Sequence, residues 1–488
     1  MDSMKKIRTR LLCVLVSVVV LVICIHKLGF LLENKLAYQK MGEFIVTGEE
    51  YDVLFLGTSH MAMSIYPMEL WKDYGITSYN LAGNGHPMAS SYWVMMNAFD
   101  YAEPQLVVID CYTVERNSKV PDDGKFTHES LDEIPLSLTK VWAVCDLFDD
   151  TVSRMEYLWN FSTYHNRWSE LEKADLVPEY RVGKGAYYNE IVEVPIDVPK
   201  IEREKSIELN STGTEYLEKM IEECQRRDID VLLTYLPFPA QEEDQLVARA
   251  VNDIADKYKI NYINFLDRDD VDFNVDCNDP DSHLNASGAK KITLYLGNYM
   301  QKEYEIPDHR GETEYEHWNE DYLRYSAYKV ERLQSKETLK PYLMLLADKH
   351  YSYCLWVDKD AGIWSDDAQY QALFNNLALG KELNKLQDSI ERQEDYFVVI
   401  DNSSGNIWES IENEAIQRAE TSFGTFTYTT KKDDIQLYLN ENEEDYIIEQ
   451  DEDGEIPEVQ IIVIDNANGS IVDVARFDES LKCSRKQN

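Results

Sequence analysis

Between residues 51 and 300, short apolar runs closed by turn residues alternate with longer amphipathic stretches. Residues 51–56 (YDVLFL) read as a buried strand that stops at Gly57. Residues 77–81 form a second run, followed by Gly83 and Gly85. Residues 105–110 (QLVVID), 231–236 (VLLTYL) and 260–265 (INYINF) supply three more, bounded by Pro104, Pro237 and Pro239. Helical spacing fits 90–101, 215–227, 241–258 and 285–300, the last opening with Asn and Ser cap residues. Strands separated by helices predict an α/β domain over 50–305 with a mostly parallel sheet covered on both faces. Residues 113–212 break the rhythm, are rich in Trp, Tyr and acids, and read as an insertion over one end of the sheet. A charged helical connector follows at 306–340. A smaller α+β domain is expected at 341–480, with strands at 351–357, 396–400, 459–464 and 471–475 and a helix at 367–379.

The N-terminus departs from both patterns. Lys5, Lys6, Arg8 and Arg10 precede an apolar run at 11–25 that only Ser17 interrupts. As a helix, 11–32 spans about 33 Å, enough for a hydrocarbon core of about 30 Å. No small-x-small cleavage site follows residue 25, so the run reads as an uncleaved anchor rather than a signal peptide. The basic flank, residues 1–10, is expected in the cytoplasm and the rest of the chain outside it. Composition narrows the partners. Lys and Arg number 48 against 90 Asp and Glu, a formal charge of −42, which excludes a binder of nucleic-acid phosphates. The eight cysteines are scattered without a C-x-x-C pair or zinc spacing, so no metal and no cofactor is expected.

The candidate chemistry lies in three places. Gly57-Thr58-Ser59-His60 follows a buried strand directly. A tight turn there sets a serine hydroxyl at the carboxyl end of a parallel sheet, where α/β folds place their ligands. The same serine also suits a helix N-cap. Asp279-Pro280-Asp281-Ser282-His283-Leu284-Asn285 precedes the last helix of the domain. A loop histidine with carboxylates two and four residues upstream is a general base with its orienting acid, or a capping histidine in an acidic loop. In the insertion, His165, Arg167 and Trp168 stand close together. They fit an anionic glycan or phosphate acceptor, or a helix with Trp168 in the core and Arg167 paired to an acid.

An early strand-Ser turn and a late D-x-H-L-N-x-x-G loop bracketing one α/β domain resemble the SGNH/GDSL hydrolase superfamily. More narrowly, residues 50–300 resemble its membrane-anchored bacterial branch, the DltD-like and alginate-acetylase-like proteins. The resemblance implies a flavodoxin-like three-layer α/β/α sandwich and serine ester chemistry. It implies Ser59 as nucleophile, His283 as base, the Gly83 backbone N–H in an oxyanion hole and Asn84 as a side-chain donor. Two positions depart from the family pattern. Pro280 stands where the family's acid usually sits, so Asp281 or Asp279 must orient His283. Asp281 is preferred, because alternate residues of an extended loop share a side and Pro280 disfavours a bend at Asp279. In addition, Cys111-Tyr112-Thr113 stands where a G-x-N-D block is expected.

The text at 459–478 (VQIIVID, then IVDVARFD) resembles an interleukin-like module that implies carbohydrate or partner recognition. Two functions follow from the whole. One is an extracytoplasmic serine O-acyltransferase or esterase that modifies a bacterial surface glycan, by exopolysaccharide acetylation or teichoic-acid D-alanylation. Its partners are an acylated donor or carrier, the glycan acceptor and, as a candidate, a membrane-bound O-acyltransferase. The other is a catalytically degenerate SGNH scaffold in a surface-polymer synthesis complex. The anchor reading is tested by topology: a reporter fused at Gly42 should be active only in its extracytoplasmic form, and activity of the cytoplasmic form overturns the location.

Overall fold

The computed structural model describes residues 2–32, 40–159, 161–176, 182–194, 198–199, 207–280, 282–364, 368–411, 417–431, 434–439 and 457–485. The chain forms two compact units. The first comprises Met1–Tyr187, Val198–Asp269 and Ile292–Tyr322. The second comprises Tyr188–Asp197, Asp270–Lys291 and Leu323–Asn488.

In the first unit, α1 (Asp2–Leu32) and α2 (Lys40–Thr47) precede the sheet. Within α1, Ile7–Gly29 is long and apolar enough to cross a membrane. The sheet is built from β1 (Val53–Leu56), β2 (Ser78–Asn80), β3 (Leu106–Asp110), β4 (Asp230–Tyr235) and β5 (Asn261–Asn264). All neighbours are parallel, and the order is β2-β1-β3-β4-β5. That is the flavodoxin-like order, which reverses direction between β1 and β3. Every residue of β1 and β3 is buried, which is why these strands read as unbroken apolar runs rather than as alternation.

The connections are helical, as parallel strands require. α3 (Ser59–Ser64) and α4 (Pro67–Tyr74) join β1 to β2, and α5 (Met88–Ala98) joins β2 to β3. The long β3–β4 connection carries α6 (Gly124–Leu131), α7 (Leu138–Leu147), α8 (Thr151–Leu158), α9 (Phe161–Tyr164), α10 (Lys173–Leu176) and α11 (Thr212–Arg226). It returns past the start of the sheet. Asn80 N–H donates to the Lys184 carbonyl, and Tyr187 N–H donates to the Ala62 carbonyl in α3. Gly185, at φ +84°, makes this possible, because a Cβ there would lie 2.2 Å from the Asn80 oxygen. α11 buries Tyr216, Leu217, Met220, Ile221 and Cys224, a helical stripe, and turns its acids outward. α12 (Glu242–Tyr258) joins β4 to β5.

The second unit holds α13 (Phe273–Asp276), the first turns of α14 (Ala286–Glu303), most of α15 (Glu316–Gln334), and α16 (Leu339–Leu346). Its six-stranded antiparallel sheet comprises β6 (Tyr351–Val357), β7 (Tyr396–Asp401), β8 (Asn406–Ser410), β12 (Val459–Asp465), β13 (Ile471–Phe477) and β14 (Cys483–Arg485). α17 (Ala368–Leu377) and α18 (Leu386–Arg392) lie between β6 and β7 in sequence. β9 (Gln417–Thr421), β10 (Gly424–Lys431) and β11 (Asp434–Leu439) form a separate three-stranded sheet. Alternate residues of β6 and β12 enter two cores. Tyr353, Leu355, Ile461 and Val463 pack with Leu343 and Phe374, while Cys354, Trp356, Ile462 and Ile464 pack with Ala419 and Phe426. Burial on both faces accounts for the continuous apolar text of these strands.

Candidate active site

At the end of β1 the chain turns through Gly57 at φ +149°. A Cβ there would stand 2.9 Å from the Asp110 Cβ and 3.2 Å from the Met61 Cβ, so only glycine lets β1 turn so close to the end of β3. Thr58 then caps α3, its hydroxyl accepting from His60 N–H at 3.2 Å. The cap is thus Thr58, and Ser59 is the first residue of the helix. His60 is buried and stacks on Tyr112, with ring centroids 3.8 Å apart, against the edge of Phe238. Asn80, at the end of β2, ties the far side of α3 by donating to the Met61 and Ile65 carbonyls at 2.9 and 3.1 Å.

The loop after β2 lies against this turn, and Gly83 N–H donates to the Gly57 carbonyl at 3.2 Å. The N–H expected in an oxyanion hole is therefore engaged within the fold. A Cβ on Gly83 would fall 2.3 Å from His86 Nε2, so the glycine makes room for that ring. Burial and the Lys40 ammonium push the His86 imidazole down to about 3, which keeps it neutral. Lys40 in turn donates to the Ala82 carbonyl and lies over the Tyr187 ring. Asn84 follows on the same turn and is half-buried.

The end of β3 adds a residue that motif reading passed over. Asp110 is fully buried, with Oδ1 accepting from Leu236 N–H at 3.2 Å and Oδ2 without a hydrogen-bond partner among the described residues. Burial pushes its carboxyl up to about 7, against the backbone N–H groups of Leu236 and Tyr112. The one signal in the sequence was an acid closing an otherwise apolar strand.

Asp279 and His283 belong to the second unit. Their loop is closed by an antiparallel bridge between Cys277 and Leu284 and by Asn278 N–H donating to the His283 carbonyl. Asn285, fully buried, clamps it. Its Nδ2 donates to the Val275 and Cys277 carbonyls, and its Oδ1 accepts from Ser287 and Gly288 N–H at the start of α14. Asp279 Oδ1 accepts from the Ser282 and His283 N–H groups and from Ser282 Oγ. This Asx-type turn at Pro280 brings Asp279 Oδ2 to 2.7 Å from His283 Nδ1, with Ser282 Oγ 2.8 Å from the same nitrogen. Burial opposes charge on Asp279, but hydrogen bonds from His283 and Ser282 outweigh it and hold its carboxyl down at about 2. The preferred acid, Asp281, lies outside the described residues. The acid found on the ring is the alternative, Asp279, because its side chain, not an extended backbone, makes the bend.

Arg167 donates to the Leu32 carbonyl at the end of α1 at 2.6 Å and reaches Asp175 at 3.3 Å, so its guanidinium is committed within the first unit. Trp168 is exposed rather than in the core, and His165 is exposed beside it.

No family model matches the chain, and no curated protein matches it. Among solved structures it is similar to a candidate acylhydrolase from Bacteroides fragilis, at 10% identity and a TM-score of 0.30, over 56% of this chain and 99% of that one.

The buried Asp110 carries a pH signature. Its folded value of about 7 exceeds the ordinary 3.8, so the folded chain holds this proton to higher pH than the unfolded chain. Its contribution to stability is full below the lower value and is lost as pH rises towards the higher one. Asp110→Asn should therefore stabilise the folded chain more at about pH 8 than at about pH 5, by a difference on the order of 2–4 kcal/mol that appears as a larger rise in melting temperature. Circular dichroism melts of the full chain in detergent check this, and equal shifts at both pH values contradict it.

Proposed function

We propose that the chain is an extracytoplasmic serine esterase or O-acyltransferase of SGNH type that acts on acyl groups of a bacterial surface glycan. The observation that carries the reading is the Asp279–His283 hydrogen bond at 2.7 Å. A carboxylate on Nδ1 fixes the tautomer in which Nε2 is the basic nitrogen, which is the form a serine hydrolase needs. The flavodoxin-like strand order, with a serine after β1 at the switch point, supports the same reading. The long apolar helix α1 supports an anchor in the membrane.

In this reading His283 Nε2 takes the proton of Ser59 Oγ as that oxygen attacks the acyl carbonyl. The carbonyl π pair moves to oxygen, the tetrahedral intermediate collapses, and the leaving oxygen carries away the proton from His283. A sugar hydroxyl, or water, then attacks the acyl-serine, with His283 as base again. Asp279 is the orienting acid. The reading requires Ser59 and His283 to meet during turnover. The acylated donor or carrier and the glycan acceptor are the partners, and a membrane-bound O-acyltransferase is the candidate source of the acyl group. Acetyl transfer to exopolysaccharide and D-alanyl transfer to teichoic acid are the reactions considered.

The engaged Gly83 N–H and the Cys111-Tyr112-Thr113 text in place of a G-x-N-D block favour a second reading, a scaffold without turnover. Loss of one oxyanion donor alone costs about 10²–10³ in rate. Hydrolysis of p-nitrophenyl acetate by the full chain separates the two. The enzyme reading expects turnover that disappears in Ser59→Ala and His283→Ala. It also expects Asp279→Asn to fall by about 10²–10⁴-fold, and Asp281→Asn to stay near the parent rate. A folded protein with no serine-dependent turnover establishes the scaffold.

A further inference from the structure

α7 is apolar on both sides. Ala143, Val144 and Leu147 are buried, yet the opposite face presents Leu138, 72% exposed, and Trp142, 59% exposed. These sit at i and i+4, so they form one stripe. The next helix repeats the pattern, with Val152 78% exposed, Met155 exposed, and Trp159 exposed at the helix end. A helix with apolar residues all round is normally buried. The other surface helices of this unit obey the rule. α11 and α12 expose acids such as Glu215, Glu222 and Asp253, as befits a chain with a net charge of −42. The apolar stripe of α7, continued on α8 by Val152 and Met155 with Glu156 beside them and Asp149 and Asp150 between the two helices, is of the kind that marks an interaction surface.

Its neighbourhood identifies the partner. The last turn of α1 packs on α9, the short helix that follows α8, where a Cβ on Gly29 would lie 3.2 Å from Phe161 N. Arg167 then caps the end of α1 through the Leu32 carbonyl. Trp159 and Trp168, the latter 72% exposed, flank this junction in sequence on either side. Ile7–Gly29 extends about 35 Å as a helix, so its far end reaches the headgroup level of a bilayer. Exposed tryptophans that neighbour in sequence the residues contacting that end, Phe161 and Arg167, fit the interfacial level at which Trp concentrates in membrane proteins.

We propose that the exposed face of α7 and α8, together with Trp159 and Trp168, seats in the headgroup–acyl boundary of the leaflet into which α1 emerges. The inference rests on the anchor reading of α1 and goes beyond it. α1 is then a tether, and the insertion is a second, interfacial contact that fixes how the first unit stands on the lipid surface. The ligand is the lipid itself, recognised by burial of apolar area rather than by charge. Arg167 and Trp168, expected to hold an anionic substrate, have a different task here: one locks α1 to the insertion and the other marks the interface.

The test uses the full chain in phosphatidylcholine nanodiscs, with Cys13, Cys24, Cys145 and Cys483 changed to Ser. Nitroxides are placed singly at Leu138→Cys and Val152→Cys, with references at Val18→Cys in α1 and Asp253→Cys on α12. Power saturation compares access to oxygen, which enters lipid, and to a nickel chelate, which stays in water. Labels at 138 and 152 should show an oxygen-to-nickel ratio severalfold above that at 253. A ratio equal to that at 253 overturns the proposal. So do labels immobilised and shielded from both reagents, which would mean that a protein partner or a second copy covers the face. A water-exposed label at 18 overturns the anchor itself, and that outcome is distinct from the failure of the interfacial contact alone.

Discussion

The hydrogen bond that the ring of His283 donates to Asp279 is the interaction on which the functional account depends, and it exists because of what surrounds it. Asp279 gathers the Ser282 and His283 amides on one oxygen, which bends the chain at Pro280 and leaves the other oxygen for the imidazole. Asn285 fixes the base of the same loop from below, joining the Val275 and Cys277 carbonyls to the start of α14. Remove that buried amide and several backbone groups lose their partners at once, each at a cost of about 1–3 kcal/mol. The Asp279–His283 geometry is in this sense a by-product of a helix start that is over-determined by hydrogen bonds.

The first unit shows a comparable economy of space around β1 and β3. The flavodoxin-like order brings their carboxyl ends together, and Gly57 and Asp110 meet there at a distance that admits no further side chain. Gly83 and His86 repeat the arrangement one loop away. Burial thus shifts two titratable groups beside the serine turn against their charged forms, Asp110 upward and His86 downward.

β1, β3 and β4 were legible because residues buried on both faces leave uninterrupted apolar text, as in 51–56, 105–110 and 231–236. The same held for β6, β7 and β12. Asn406–Ser410 and Gln417–Thr421 were not legible, since strands with polar, half-exposed residues look like loops until their partners are known. At the candidate site the hydrogen bonds within each turn are ones that spacing does not encode. Thr58, one residue before the serine, takes the cap. Asp279 reaches the histidine through its side-chain turn, which the rule for residues before proline does not describe. Gly83 points its N–H at Gly57, a contact set by the packing of two loops.

The central claim is that Ser59 is a nucleophile served by His283 and Asp279. Covalent capture tests it most directly. The folded full chain is treated with a fluorophosphonate, digested, and mapped by mass spectrometry. The account predicts a single serine adduct on the peptide that contains Ser59, absent in Ser59→Ala and formed far more slowly in Asp279→Asn. An adduct confined to another serine, or no adduct on a chain that remains folded, contradicts it.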